Sequence, residues 1–492
     1  MFLLFLSSGL FLGWTLGAND AANVFGTAVG SRMISFKKAA ALCGLFVVLG
    51  AVISGAGTSD TVGKLGNVNA IGGAFIVALA AALSVYLMTV TGYPVSTSQG
   101  IIGAIIGWNF FTGTLVDYDA LSKIVSSWIA CPILAAIFSI ILYKLVVAGI
   151  RTFNVPMFKL DTLTRYGLII AGTFGAYSLG ANNIANVMGV FVPVSPFSDI
   201  SVMGIFSLTS AQQLFLIGGI TIAIGVITYS KRVIMTVGTG IMKISPVSAF
   251  VAVWAHSLVL LLFASQGLER LLISCGLPPI PLVPVSSSQA IIGAIIGIGL
   301  LKGGQNIRWR TVGEIAVGWI TTPVLAAVIS FISLFFFQNV FQQQIYKPVE
   351  YTMSTEALER IENHGIPSHE LMKRLGENYP TAVQLNKTLK QDPSLQRDDI
   401  QFIMESAEVY RMHVTDAGIR SLDTNKFTEE QIQALKKVEG QIFIHTWVMD
   451  KALAELSPSW AFKKDDEPFN RELKEKLSYI HGLFHTTEFF IR

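Results

Sequence analysis

The sequence predicts an all-α polytopic membrane protein of about ten spans. They are built as two inverted repeats with broken or re-entrant helices, and a soluble helical domain follows at the C-terminus. Three observations predict this. The 492-residue chain is 52% hydrophobic and only 14% charged, with mean hydropathy +0.57, whereas a soluble chain carries roughly a quarter charged residues. The charges are segregated: residues 1–343 hold 16 Lys and Arg against 8 Asp and Glu, while residues 344–492 hold 19 against 24. The apolar part also repeats three landmarks in the same order. The expected domains are repeat 1 over 1–165, repeat 2 over 166–343 and the soluble domain over 344–492.

Apolar stretches fit to cross roughly 30 Å of hydrocarbon run about 2–31, 39–58, 70–92, 95–112, 122–143, 166–191, 203–229, 246–268, 286–301 and 312–340. The pieces beginning at 95 and 286 are short and read as broken or re-entrant. The opening "MFLLFLSSGLFLGWT" lacks the basic stretch of a secretory signal and reads as a retained first span. Thirteen of the 16 basic residues of the membrane region fall in one alternate set of loops, containing Arg32, Lys37 and Lys38, then Lys144–Arg165, Lys231–Lys243 and Lys302–Arg310. Those loops are expected on the cytoplasmic side, and ten crossings then put both chain ends outside. The three cysteines show no CxxC spacing.

"GANDAANVFG" at 17–26 returns as "GANNIANVMG" at 180–189, "PVSTSQGIIGAIIG" at 94–107 as "PVSSSQAIIGAIIG" at 284–297, and "WIACPILAA" at 128–136 as "WITTPVLAA" at 319–327. Five crossings per copy force the second to enter the membrane the other way up. Inverted repeats of this kind place a binding site near the midplane, where the copies meet.

In "YPVSTSQG", Tyr93 and Pro94 stop the preceding helix. Ser96, Thr97 and Ser98 then open a new half-helix with hydroxyls and free backbone N–H groups together. Such an end favours anions, and Ser286, Ser287 and Ser288 supply a second one. Two such tips would hold a small multivalent anion without Lys or Arg, none of which lies mid-span. The complement is Asp20 with Asn19 and Asn23, the one acid deep in a span. A charge there costs at least about 2.5 kcal/mol, to be offset by a bound cation, a shared proton or the protonated oxygen of a substrate. Oxygen clusters suit a hard cation.

These paired segments resemble the inorganic phosphate transporter (PiT) family, including its sulfate permease relatives, over most of residues 10–335. The resemblance implies a phosphate permease driven by sodium or proton entry, with no other cofactor. It also implies that the segments of both copies surround the anion and the coupling cations. Carried over, the cation ligands are Asn19, Asp20, Asn182 and Asn183. The anion ligands are Ser96, Thr97, Ser98, Gln99, Ser286, Ser287, Ser288 and Gln289, with Asn23 and Asn186 reaching either. The chain departs from the family pattern at Asn183, where a second aspartate is usual, and at Gln99 and Gln289, where histidine is usual. Phosphate at neutral pH carries a hydroxyl and wants an acceptor, which Asp20 provides; sulfate wants donors only, and Asn183 adds one.

The expectation is a secondary active transporter of the cell membrane, importing phosphate by cation symport through alternating access, with sulfate the alternative anion. An anion-sensing receptor that signals through its C-terminal domain is the rival from another class. No nucleophile–base constellation points to an enzyme. The expected partners are inorganic phosphate or sulfate and membrane lipid, with a homodimer an option and nucleic acid not among them. His256 reads as a histidine hydrogen-bonded between helices, a proton relay being the alternative. Trp14, Trp108, Trp128 and Trp319 read as interfacial or packing residues. In the tail, helical patterns over 354–363, 368–390, 397–422, 428–456 and 470–489 suggest a bundle of four or five helices. His481 and His485, four apart, read as surface or core residues rather than zinc ligands.

Overall fold

The computed structural model describes residues 2–486 except 67, 91, 93, 198, 203–205, 367–368, 423–425 and 465–466. Tyr93, read above as part of a helix stop, lies outside the described residues, as do 368 and 487–489 of the expected tail helices. The chain divides into two compact units, Met1–Lys347 and Pro348–Arg492.

The first unit is built on helices α1 (Phe2–Gly30), α2 (Phe36–Ser54), α3 (Ala56–Gly66), α4 (Ile71–Val90), α5 (Thr97–Thr112), α6 (Tyr118–Thr152), α7 (Met157–Met188), α8 (Ser210–Tyr229), α9 (Lys231–Met235), α10 (Pro246–Leu262), α11 (Gln266–Ser274), α12 (Ser287–Leu301) and α13 (Trp309–Asn339). A small antiparallel hairpin of β1 (Ile200–Val202) and β2 (Phe206–Leu208) precedes α8. Each of the ten apolar stretches of the sequence contains a helix over most of its length; 203–229 begins outside the described residues and passes through β2 before α8. Among the described residues α1, α2, α4, α6, α8 and α13 are long and apolar enough to cross a membrane. The stretch 246–268, expected as one span, is instead bent by 69° between α10 and α11. Ser265 caps a new helix there by accepting from Leu268 N at 3.2 Å.

On α6, Ile129, Ile133, Ile137 and Ile141 face outward, each 45% exposed or more, while Cys131 and Ala135 between them are fully buried. An outward apolar stripe four residues apart, on a helix whose backbone bonds are satisfied internally, suits lipid. Trp108, by contrast, is buried and donates to Gly66 O at 3.0 Å, so it packs the interior and meets no interface.

The helices pack by exchange between the two halves of the unit. The first half's α5 lies along α13, and the second half's α12 lies along α6. The closest approach is the same in both: a Cβ on Gly103 would overlap the carbonyl oxygen of Pro323, and one on Gly293 that of Pro132. In the same way α1 packs on α8 and α7 on α2.

The second unit is not the simple bundle expected. It has helices α14 (Thr355–Asn363), α15 (His369–Met372), α16 (Ala382–Leu389), α17 (Arg397–Ala407), α18 (Asp416–Arg420), α19 (Glu429–Lys437), α20 (Thr446–Leu456) and α21 (Glu467–Phe484). Two short antiparallel pairs lie among them, β3 (Tyr351–Thr352) with β4 (Asn378–Tyr379) and β5 (Met412–His413) with β6 (Ile442–Phe443). The stretches 368–390, 397–422 and 428–456, each expected as one helix, are each interrupted by a strand. Two of the interruptions follow glycines at positive φ, Gly376 (80°) and Gly440 (77°), a conformation that stops a helix and suits glycine. His481 pairs with Asp450 at 2.7 Å, and no metal-binding group of three or more ligands occurs among the described residues.

Candidate functional site

The serine segments start helices as their sequence dictates. Ser96 Oγ accepts from Gln99 N at 3.2 Å and Ser286 Oγ from Gln289 N at 3.3 Å, so both are N-caps. Their hydroxyls are therefore partly used in building the helix ends. Thr97 and Ser98, and Ser287 and Ser288, form the first turns and are buried with them.

Asparagines of α1 and α7 fasten these segments. Asn19 Oδ1 accepts from Val95 N at 3.1 Å and its Nδ2 donates to Thr89 Oγ1 at 2.9 Å. Asn182 Oδ1 accepts from Val285 N at 2.8 Å and its Nδ2 donates to Val283 O at 3.2 Å. Each peg satisfies a backbone N–H that an extended, buried segment would otherwise leave without a partner. This use of Asn19 and Asn182 was not visible in the sequence, because the backbone N–H groups they accept from lie 76 and 103 residues away.

The two halves meet at Ser98. Its Oγ accepts from Asn186 Nδ2 at 2.8 Å and lies within donating reach of Val285 O at 3.1 Å and Asn183 Oδ1 at 3.3 Å. Asn186 Nδ2 also donates to Asn183 Oδ1 at 2.9 Å. In the matching place on α1, Asn23 Nδ2 donates to Asp20 Oδ1 at 3.2 Å. Asp20 is 2% exposed, and no other Asp or Glu is fully buried among the described residues.

Around this meeting point several polar atoms are buried with no partner: Asn23 Oδ1, Asn186 Oδ1, Asn183 Nδ2, Gln99 Oε1 and Gln289 Oε1. Most buried polar groups in proteins are paired, and one left alone calls for an explanation. Here they come mainly as oxygens, in matched positions of the two copies, next to a buried carboxylate and two helix N-termini. Such a set can take a hard cation on its oxygens and an oxyanion on its hydroxyls and N–H groups.

Two neighbours carry more than the sequence suggested. His256 Nε2 lies 2.9 Å from Ser287 Oγ, and its Nδ1 is buried without a partner. Trp319 Nε1 donates to Ser288 Oγ at 3.2 Å. The recurrence of Trp at the head of both "WIxxP" segments is the one signal in the sequence that could have found the second of them.

Comparisons with known proteins identify the family. The model of the phosphate transporter family matches residues 16–330, with a second match over 281–375. A protein of Methanocaldococcus jannaschii named as a phosphate permease is 30% identical over 322 residues, covering 65% of this chain and 93% of its own. The chloroplastic inorganic phosphate transporter 2-1 of Arabidopsis thaliana is 23% identical, covering 68% of this chain and 71% of its own. Among solved structures, one titled the sodium-dependent phosphate transporter superposes with a TM-score of 0.54 at 22% identity, over 68% of this chain and 99% of its own. With nearly two thirds of its length matched by the family model, the chain belongs to the phosphate transporter family.

Proposed function

We propose that the protein imports inorganic phosphate by sodium symport, through alternating access of two inverted repeats in a multi-pass arrangement in the cell membrane. The observation that carries this reading is the buried meeting of Ser98 from the first half with Asn183 and Asn186 from the second, ringed by oxygens without partners. The anion is held by Thr97, Ser98, Ser287 and Ser288 with the first-turn N–H groups of α5 and α12, and Gln99 and Gln289 flank it. Asp20, Asn23, Asn183 and Asn186 hold the cation, while Ser96 and Ser286 cap and Asn19 and Asn182 fasten the segments that present these groups. Cation and anion neutralise each other in a low-dielectric cavity, so each favours the other's binding. The reciprocal packing of α5 on α13 and α12 on α6 supports the inverted repeats, which rock about the shared site. Sodium is favoured by the amide oxygens, and the solved neighbour is titled sodium-dependent.

Sulfate is the second reading, favoured by one observation: Asn183 Nδ2 is a donor without a partner. Uptake of labelled phosphate and sulfate into proteoliposomes, with sodium and pH gradients imposed separately, tests substrate and coupling together. Phosphate accumulation driven by sodium alone is expected. Sulfate accumulation without phosphate would transfer the assignment to the second reading, and failure of both anions under any gradient would favour an anion-sensing receptor.

A further inference from the structure

The two copies of the site carry matching residues in unlike conditions. Ser98 crosses to the other half, to Asn186, Val285 O and Asn183. Its counterpart Ser288 stays within its own half, sharing a bond with Ser286 Oγ at 3.1 Å and accepting from Trp319 Nε1 at 3.2 Å. Trp128 stands in the first half where Trp319 stands in the second, at the head of the repeated "WIxxP" segment. Its indole N–H is buried and has no partner. The neighbouring pair is unlike too: Ser287 is bonded to His256, while Thr97 lies beside Asp20.

An indole N–H can only donate, and leaving it buried and idle forfeits a hydrogen bond outright. The natural acceptor for Trp128, by the repeat, is Ser98 Oγ, which in this state is drawn across to Asn186 Nδ2 and Val285 O. In the second half the roles are reversed: Trp319 occupies Ser288 Oγ, and Asn23 Nδ2, the counterpart of Asn186 Nδ2, rests on Asp20. By the repeat, each serine thus has two alternative placements, one beside the tryptophan of its own half and one beside the asparagine of the other.

We propose that Trp128 and Trp319 are positioning residues that act in turn. Each withdraws the serine of its own half from the site, Trp319 holding Ser288 in the state described here and Trp128 holding Ser98 in the opposite-facing state. In that second state Ser288 crosses to Asn23, Asp20 and Val95 O, as Ser98 now crosses to Asn186, Asn183 and Val285 O. Of the hydroxyls assigned to the anion above, Ser98 and Ser288 then serve in alternate states, while Thr97, Ser287 and the helix-tip N–H groups serve in both. The proposal rests on the alternating-access reading above.

The test uses the full-length protein in lipid nanodiscs, carrying Cys275→Ser and a reporter cysteine, either Thr61→Cys on α3 or Thr236→Cys just after α9. These segments follow α2 and α8, in corresponding places of the two halves, and native Cys43 and Cys131 are buried. The ratio of modification rates at the two reporters by a charged thiol reagent, with and without inorganic phosphate, reads which face is open. Trp319→Phe should shift that ratio about threefold to tenfold one way, the worth of one hydrogen bond, and Trp128→Phe by a similar factor the other way. Ser288→Ala, which removes the acceptor and keeps the tryptophan, should follow Trp319→Phe, and the double tryptophan variant should return toward the unsubstituted ratio. Shifts in the same direction, or none, with phosphate still altering the rates, overturn the proposal alone. Loss of the phosphate effect in the unsubstituted reporter proteins overturns the transport reading and the proposal with it.

Discussion

Replacing Asn183 by aspartate adds a charge to the site without breaking a bond. Asn183 Oδ1 accepts from Asn186 at 2.9 Å and faces Ser98 at 3.3 Å, while its Nδ2 has no partner. In Asn183→Asp one carboxylate oxygen keeps both contacts and the other replaces the idle nitrogen. A sodium ion about 4 Å from the new charge gains on the order of 4 kcal/mol at an effective dielectric constant of about 20. Removing that charge from water costs several kcal/mol, partly recovered through the two donors already in place. A net gain of about 1.5 to 3 kcal/mol corresponds to roughly tenfold to a hundredfold in cation affinity. In proteoliposomes, the sodium concentration giving half-maximal phosphate uptake should fall by that factor, and the sodium dependence should steepen as a second cation is recruited. A half-saturation that stays put or rises, with uptake intact at high sodium, would show that position 183 does not face the cation.

Asp20→Asn should abolish sodium-coupled phosphate uptake while leaving the protein inserted; uptake at the unsubstituted rate would remove Asp20 from the mechanism. His256→Leu should raise the half-saturating phosphate concentration about twofold to tenfold by freeing Ser287, and His256→Gln, which keeps an N–H within reach of that hydroxyl, should restore much of it. Gly103→Val and Gly293→Val should each cost about 1 to 3 kcal/mol or more through overlap with the Pro323 and Pro132 carbonyls, seen as a lowered unfolding temperature. Gly63→Ala, whose new Cβ meets nothing within 4 Å inside α3, should not lower that temperature and should raise it slightly through helix propensity. In the second unit, burial holds His445 below the usual imidazole range. The unfolded chain then takes up the proton first, so the His445 contribution to stability is complete above about pH 6.5 and is lost as pH falls toward the depressed native value. The protection of α14 and α20 against hydrogen exchange in the full-length protein, taken relative to the intrinsic rate at each pH, should therefore fall below about pH 6, and His445→Gln should flatten that dependence. Glu408, held above the usual carboxylate range by burial, acts in the opposite sense as pH rises.

The paired motifs were legible because chemistry and spacing both survive in each copy: capping serines after a proline, and oxygen-bearing side chains among small residues. The sequence could not show that Asn19 and Asn182 serve as pegs, since Val95 N and Val285 N become their partners only when separate helices assemble. The link from Trp319 to Ser288 was hidden for the same reason, and the tryptophans read only as interfacial or packing residues. The bend at Ser265 was missed because hydropathy runs on through Leu262 and Phe263 into α11, while one hydroxyl starts a new helix. In the tail, apolar spacing persists across Gly440, so two helices and the strand between them looked like one element; only the positive φ and the pairing of β6 with β5 separate them.

The crossed bedding of α5 on α13 and α12 on α6 imposes an order on how the chain can be made. When the ribosome has delivered the first 165 residues, the glycine edge of α5 has nothing to lie against, because its bed, Trp309–Asn339, is still untranslated. A nascent half must wait in the bilayer as an unfinished bundle, exposed to insertion chaperones and quality-control proteases. The two halves should nonetheless find each other when produced as separate polypeptides, since what locks them is mutual fit rather than the covalent link between them.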